Sequence, residues 1–241
     1  MTATIVRPKL ISAIIPAYNA ARYISQAIES VLQQTYRPIE IVVADDGSTD
    51  ESAAIAKSYS EVRYVHQSNQ GPPASRNAGL ERSSGDLIAF LDADDYWPRH
   101  KLAEQNDYLE AHPEAGCVVG RWQNFLEKGT PRPDWIPESM LQEDAVILGL
   151  QASLIHRWVF DQVGQFDVRY RISDDLQWFV RVREARIPIS FHNSVMVYRR
   201  IHGDNISQDQ NAVARATVRI LREHMGRERA RALGATLGTR E

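Results

Sequence analysis

The sequence predicts an α/β fold, with a mostly parallel central sheet flanked by helices on both faces. Three observations point to it. Apolar runs alternate with helical patterns across residues 10–91, and the connections between them are short. The runs at 10–15, 39–44 and 87–91 are almost continuously apolar, as strands covered on both faces are. Polar clusters then follow three of the strand ends, the edge where open α/β sheets bind ligands.

Taken in order, residues 10–15 read as the first strand, broken by Pro16-Ala17-Tyr18-Asn19. Ile24, Ala27, Ile28, Val31 and Leu32 fall at helical spacing. Pro38 closes that connection and 39–44 is the second strand. Asp45-Asp46-Gly47-Ser48-Thr49-Asp50 is a turn that contains a helix N-cap. A helix over 51–59, a short strand over 62–65, a loop at Gly71-Pro72-Pro73, a helix over 74–83 and a fourth strand over 86–91 complete the first half. Beyond it the pattern predicts a helix over 99–111 and a strand over 115–120. Residues 129–137 hold three prolines and read as irregular. A helix over 173–185 carries Leu176, Phe179 and Val180 on one face, and a strand follows at 194–198. Residues 211–232 read as a helix with six arginines and two glutamates.

The 241 residues suffice for one large domain or two halves sharing a core. A formal charge of −3 argues against general nucleic-acid binding. The single cysteine, Cys117, excludes an internal disulfide and sits in an apolar run. No apolar stretch approaches the ~18–20 residues of a membrane span. No signal peptide is recognised, so a cytoplasmic protein is expected.

Asp92, Asp94 and Asp95 crowd the exit of the fourth strand. Three carboxylates within four residues repel one another, and a divalent cation offsets that repulsion. Hard oxygen ligands suit Mg²⁺ or Mn²⁺; the alternative is an acidic turn capping the helix that follows. Asp45 is suited to accept the N–H of a base while Gly47 turns the backbone, or the pair is a capped turn. Arg76 lies at a loop leading into a helix, a combination that suits phosphate or a surface ion pair. The loop before Arg76 is not a Walker loop, and G-x-G-x-x-G after the first strand is missing, which argues against an NAD enzyme. Asp174-Asp175 opens a helix, as caps or as a cap plus a general base.

In order, Ile15-Pro16-Ala17-Tyr18-Asn19, Val43-Ala44-Asp45-Asp46-Gly47-Ser48-Thr49-Asp50, Ala74-Ser75-Arg76-Asn77-Ala78-Gly79, Phe90-Leu91-Asp92-Ala93-Asp94-Asp95, Gly164-Gln165-Phe166-Asp167 and Asp174-Asp175 resemble a family 2 glycosyltransferase of GT-A fold. The resemblance covers roughly residues 10–207. It implies a domain over 1–207, with a nucleotide-sugar half at 10–98 and an acceptor half at 99–207, followed by a basic helix over 208–241. It also implies inverting transfer from a nucleotide-diphosphate sugar to a glycan or lipid-linked acceptor, in cell-surface polysaccharide or glycolipid synthesis. Asp45 would then contact the base, with Pro16, Ala17 and Tyr18 lining its pocket. Asn19, Asp46, Gly47, Arg76, Asn77, Asp92 and Ala93 would complete the donor site. Asp94 would be the principal Mn²⁺ or Mg²⁺ ligand, near Asp92, with Asp95 as the alternative. His202, in Arg200-Ile201-His202 with Asn205 and Ser207 after it, would reach the metal or the diphosphate. Counting back from Arg181 makes Asp175 the base and Asp174 its support; the first acid is Asp where the family more often has Glu. The competing classes are a sugar nucleotidyltransferase, whose Gly-rich loop is missing after the first strand, and a nucleotide-sugar sensor without turnover. The basic helix suggests either peripheral contact with anionic lipid or a helix packed on the domain with a solvated face.

Overall fold

The computed structural model describes residues 7–203, 205 and 208–237. Its first half is a parallel sheet built on β1 (Ile11–Ala17), all seven residues of which are buried. β2 (Ile39–Asp45) pairs on one side of β1 and β4 (Leu87–Phe90) on the other, and β3 (Val62–His66) adds to β2. Helices α1 (Ile24–Leu32), α2 (Ser52–Ser58) and α3 (Pro72–Glu81) make the crossovers. Side chains of β1 alternate between two cores. Ile11, Ala13 and Ile15 meet Ile24, Ala27, Ile28 and Val31 of α1, whereas Ile14 joins Val42, Ile88 and Phe90 on the opposite face. α3 lies so close to that second face that a Cβ on Gly79 would come 2.3 Å from Ile14.

The second half is mixed. β7 (Ser153–His156) runs antiparallel to β4 and to β5 (Cys117–Leu126). β6 (Ala145–Val146) is antiparallel to β5, and β8 (Ile189–Ile201) is parallel to it. The strand order is β3-β2-β1-β4-β7-β5-β6, with β8 on β5, so one sheet runs through both halves. Around it lie α4 (Lys101–Ala111), the short α5 (Ser139–Gln142), a 3₁₀ turn (Leu150–Ala152), α6 (Arg157–Val163), α7 (Asp174–Glu184) and the long α8 (Gln210–Leu237). α7 covers the second core with Trp178, Phe179 and Val182.

Several features depart from the sequence reading. β7 and α6 occupy 153–163, where no element was expected. β5 and β8 are longer than the apolar runs at 115–120 and 194–198, because their outer parts alternate polar and apolar residues. Such half-buried alternation marks a strand with one wet face. The third helix begins at Pro72, since proline suits the first turn, where its missing N–H has no partner to lose.

Candidate active site

Parallel pairing brings the carboxyl ends of β1, β2 and β4 to one edge. Ala17 stands opposite Asp45, and the amide of Asp46 donates to the carbonyl of Ala17 at 2.8 Å. Pro16 and Ala17 are buried there, while Tyr18 is 52% exposed. Asn19 adopts a positive φ of 47° and accepts the amide of Thr49 on Oδ1 at 2.8 Å. Asp45 is buried at the strand tip. Its Oδ1 accepts the Ser48 amide at 2.9 Å, its Oδ2 accepts the Tyr64 hydroxyl at 2.5 Å, and His66 Nδ1 lies 3.6 Å away. Burial opposes its charge, but hydrogen bonds from Ser48, Tyr64 and His66 hold the carboxyl below its usual range.

Asp46 does not face the open edge. Its Oδ1 accepts Gln67 Nε2 and the Gln70 amide, and its Oδ2 accepts the Gly71 amide at 2.7 Å. The carboxylate therefore folds the 67–71 loop, and the donor contact expected of Asp46 gives way to a structural one. Gly47 shares that task. Its φ of 79° lies in the left-handed region, and a Cβ there would meet the Asn69 amide at 3.0 Å.

The acidic loop after β4 divides its three carboxylates. Asp92 accepts Arg76 Nη2 at 2.8 Å on Oδ1 and the amide of the Gln151 side chain on Oδ2. Ala93 is buried between the acids. Asp94 keeps an open carboxylate, its side chain 28% exposed; Oδ2 lies 3.0 Å from His202 Nε2 and 3.3 Å from Asn205 Nδ2. Asp95 is turned inward, where Oδ1 accepts the Arg200 amide at 2.8 Å. Burial, with Asp94 and Asp92 beside it, pushes the Asp95 carboxyl well above the usual range. Of the two candidate ligands, Asp94 is the more exposed. Arg200 also donates from Nε to the Asp94 carbonyl at 2.9 Å, which ties the loop to β8. His202 is itself buried, its ring 4.8 Å from that of Tyr23. Residues 204, 206 and 207 of the closing segment lie outside the described residues.

Among the described residues no group of three or more His, Cys, Asp or Glu is arranged to hold a cation. Asp94 and Asp92 offer one or two carboxylates. That is the share a protein gives to Mg²⁺ or Mn²⁺ when phosphate oxygens and water complete the shell, so the donor set fits such an ion.

Beyond Arg76, Ser173 has a φ of 60° and α7 starts at Asp174. Asp174 is buried, and its Oδ2 lies 2.5 Å from Arg76 Nη1. Asp175 is half-buried, with Oδ1 accepting the Leu176 amide at 2.7 Å. Burial and the neighbouring Asp174 push its carboxyl up to about 6, against the pull of Arg76. Arg76 is 6% exposed and bridges Asp92 to Asp174. Burial disfavours its charge, yet Asp174, Asp92 and Asp175 together raise its pKa. Arg76 thus forms a buried link between the two groups of acids. Asn77 is likewise structural: its side chain donates to the Phe166 carbonyl and accepts the Phe166 amide, each at 2.9 Å.

The sequence reading missed Gln151, which reaches Asp92 from the 3₁₀ turn before the unforeseen β7, and no motif marks it. It also missed Tyr64, and it quoted Arg200 and Asn205 without giving either a role at the site. Among the described residues, Arg76 Nε and Gln151 Oε1 are buried without a hydrogen-bond partner, and both flank Asp92. Buried polar atoms are rarely left so.

A GT-A type sheet with this edge defines a class, and comparison supplies the family. Residues 12–175 match the model for glycosyl transferase family 2. A Bacillus subtilis glycosyltransferase named for teichuronic acid biosynthesis is 30% identical over 224 residues, covering 89% of this chain and 88% of that protein. An uncharacterized glycosyltransferase of Nostoc sp. is 50% identical over 219 residues, or 81% of this chain and 66% of the relative. Among solved structures, a mannosyltransferase from Pyrobaculum calidifontis in complex with GDP-Man and Mn²⁺ superposes with a TM-score of 0.72 at 19% identity, over 91% of this chain and 65% of that one. Two Rickettsia relatives are longer, and the chain spans 35% of their length. The chain belongs to glycosyl transferase family 2, and it is a glycosyltransferase.

Proposed function

We propose that the protein transfers a sugar from a nucleotide-diphosphate donor to an acceptor hydroxyl with inversion at the anomeric carbon. The observation that carries this reading is the Arg76 bridge. It holds Asp92, on the donor side, and Asp174, beside the half-buried Asp175, at the two ends of one guanidinium. The candidate base and the donor-side acid are thereby kept on adjoining parts of the site, so that a donor and an acceptor oxygen can meet there.

Asp45, held ionised at the end of β2, accepts the N–H of the base, with Pro16, Ala17 and Tyr18 along the same edge. Asp94, with Asp92, would hold Mn²⁺ or Mg²⁺; His202 and Asn205 orient the Asp94 carboxylate. A bound ion supplies Lewis-acid stabilisation of the diphosphate leaving group. Asp175 takes the proton from the acceptor oxygen onto its carboxylate as the new C–O bond forms. Its raised affinity for protons makes it a better base than an ordinary aspartate, and it is still mostly ionised at pH 7. Asp174, charged against Arg76, keeps that affinity high. The Mn²⁺ and GDP-Man of the Pyrobaculum neighbour support the donor and cation readings, and the teichuronic acid relative supports a cell-surface glycan acceptor. Among the described residues no helix is long and apolar enough to cross a membrane. We place the enzyme in the cytoplasm, where nucleotide sugars are made.

The test incubates UDP- and GDP-sugars with Mn²⁺ and a panel of glycan and lipid-linked acceptors. Release of the nucleoside diphosphate is followed, and the product anomer is read by proton NMR. Inversion is the expected result. Retention, or no donor turnover with any acceptor, would refute the proposal.

A further inference from the structure

We propose that the outer face of α8 docks on an anionic lipid surface. Among the described residues, the contacts that fasten α8 to the domain lie along one side. Ile220 is buried, His224 Nδ1 and Arg227 reach Glu184 at 2.6 Å and 2.9 Å, and Arg219 lies over the Tyr170 ring at 4.6 Å. At about 100° per residue, a different stripe points roughly 140° away from Ile220 and Arg227. It consists of Ala214, Val218, Leu221 and Met225, all exposed, the last three by 45%, 47% and 51%. The helix thus has two apolar stripes, one docked and one bare.

Charge selects the occupant of the bare stripe. Arg215, Arg222 and Arg229 recur every seven residues along one flank and are exposed. Among the described residues, none of the three forms an ion pair. Stripe and arginines together fill a sector of roughly 120° that contains no carboxylate, with Glu228 only at its far border. The row runs about 21 Å along the helix. An apolar strip beside a long cationic row, both level with one tangent plane, fits a flat surface of acyl chains beneath anionic headgroups. A second copy fits less well. The 4-3-4 spacing would suit a two-helix seam, but the flanking row would meet either neutral positions or its own arginines.

The experiment sediments the full chain with vesicles of 30% phosphatidylglycerol in phosphatidylcholine, or of phosphatidylcholine alone. Binding to the first and not the second is expected, declining in 0.5 M salt. Replacing Arg215, Arg222 and Arg229 together by Gln should lower partition roughly 100-fold, from about fivefold per arginine near a charged surface. A second variant, with Ser at 218, 221 and 225, should also lose binding. Both sets of side chains are exposed, so both variants should melt near the wild type and bind nucleotide as it does. That keeps failure of this inference apart from failure of the donor site. Equal sedimentation with the two vesicle types, or anionic binding that survives both variants, would overturn the proposal. So would a dimer in sedimentation velocity that the Ser variant dissociates, which would assign the stripe to a second copy.

Discussion

Changing Asp175 to Asn should slow the enzyme and stabilise the fold. The native carboxyl sits near 6, against an ordinary value of 3.8, chiefly because burial and Asp174 disfavour its charge. A carboxyl raised in this way favours folding when protonated. The benefit is complete below about pH 4 and is lost as pH rises through about 6, so at pH 8 the wild type carries the whole penalty of a charged Asp175. Two pKa units correspond to at most ~3 kcal/mol, and partial solvation reduces this to roughly 1–3 kcal/mol. Asn removes the charge, is nearly the same size, and can still accept the Leu176 amide. For a chain of this length the gain amounts to a rise of roughly 2–10 °C in melting temperature at pH 8. It should shrink at pH 5, where the wild type is largely protonated. Transfer, in contrast, should fall by ~10²–10⁴, the usual worth of a general base. The assay pairs thermal melts at pH 5 and pH 8 with transfer rate and nucleotide affinity. Asp174→Asn should cost less in transfer, because the Asp174 carboxylate is engaged with Arg76. If Asp175→Asn melts at or below the wild type at pH 8, or transfers at its rate, the environment and role assigned to Asp175 are wrong.

Arg76→Gln should destabilise the protein by about 3–5 kcal/mol, since it strands Asp92 and Asp174 without their shared cation; an unchanged melting temperature would contradict the buried bridge. The wild-type transfer rate should rise about tenfold between pH 5 and pH 7 and then level off, as a base titrating near 6 becomes ionised; a rate that falls over that interval would exclude Asp175 as the base. Burial pushes the Cys117 thiol up to about 12, so a thiol-specific disulfide reagent should label it only as fast as the protein unfolds. Immediate labelling of native protein would show that β5 is less well covered than described.

The first half of the fold was legible because β1, β2 and β4 are largely buried and read as plain apolar runs. Ile39–Asp45 and Leu87–Phe90 announce themselves, and each strand end is marked by prolines or acids. The second half was harder to read. β5 mixes polar and apolar residues beyond 120, β8 begins five residues before 194 with Ile189-Ser190-Phe191-His192, and β7 has only the four residues Ser153–His156 before α6 begins. At the site, residue types identified the acids but not which way each one turns. Nothing in Asp92-Ala93-Asp94-Asp95 says that Asp95 faces inward; that follows from the Arg200 amide on a strand some hundred residues later. Asp46, Arg76 and Asn77 were placed in the donor site by motif, yet each is held by a distant partner that the local sequence does not show.

The most direct measurement is calorimetric titration of UDP and of GDP into the protein, in Mn²⁺ and in EDTA, for the wild type and for Asp94→Ala. The expected result is binding of at least one of the two nucleotides by the wild type in Mn²⁺. That binding should be lost in EDTA and lost in Asp94→Ala, whose melting temperature should stay close to normal because Asp94 is partly exposed. Binding that is the same in EDTA, or retained by Asp94→Ala, or absent for both nucleotides in Mn²⁺, would contradict a cation-assisted donor site at the ends of these strands.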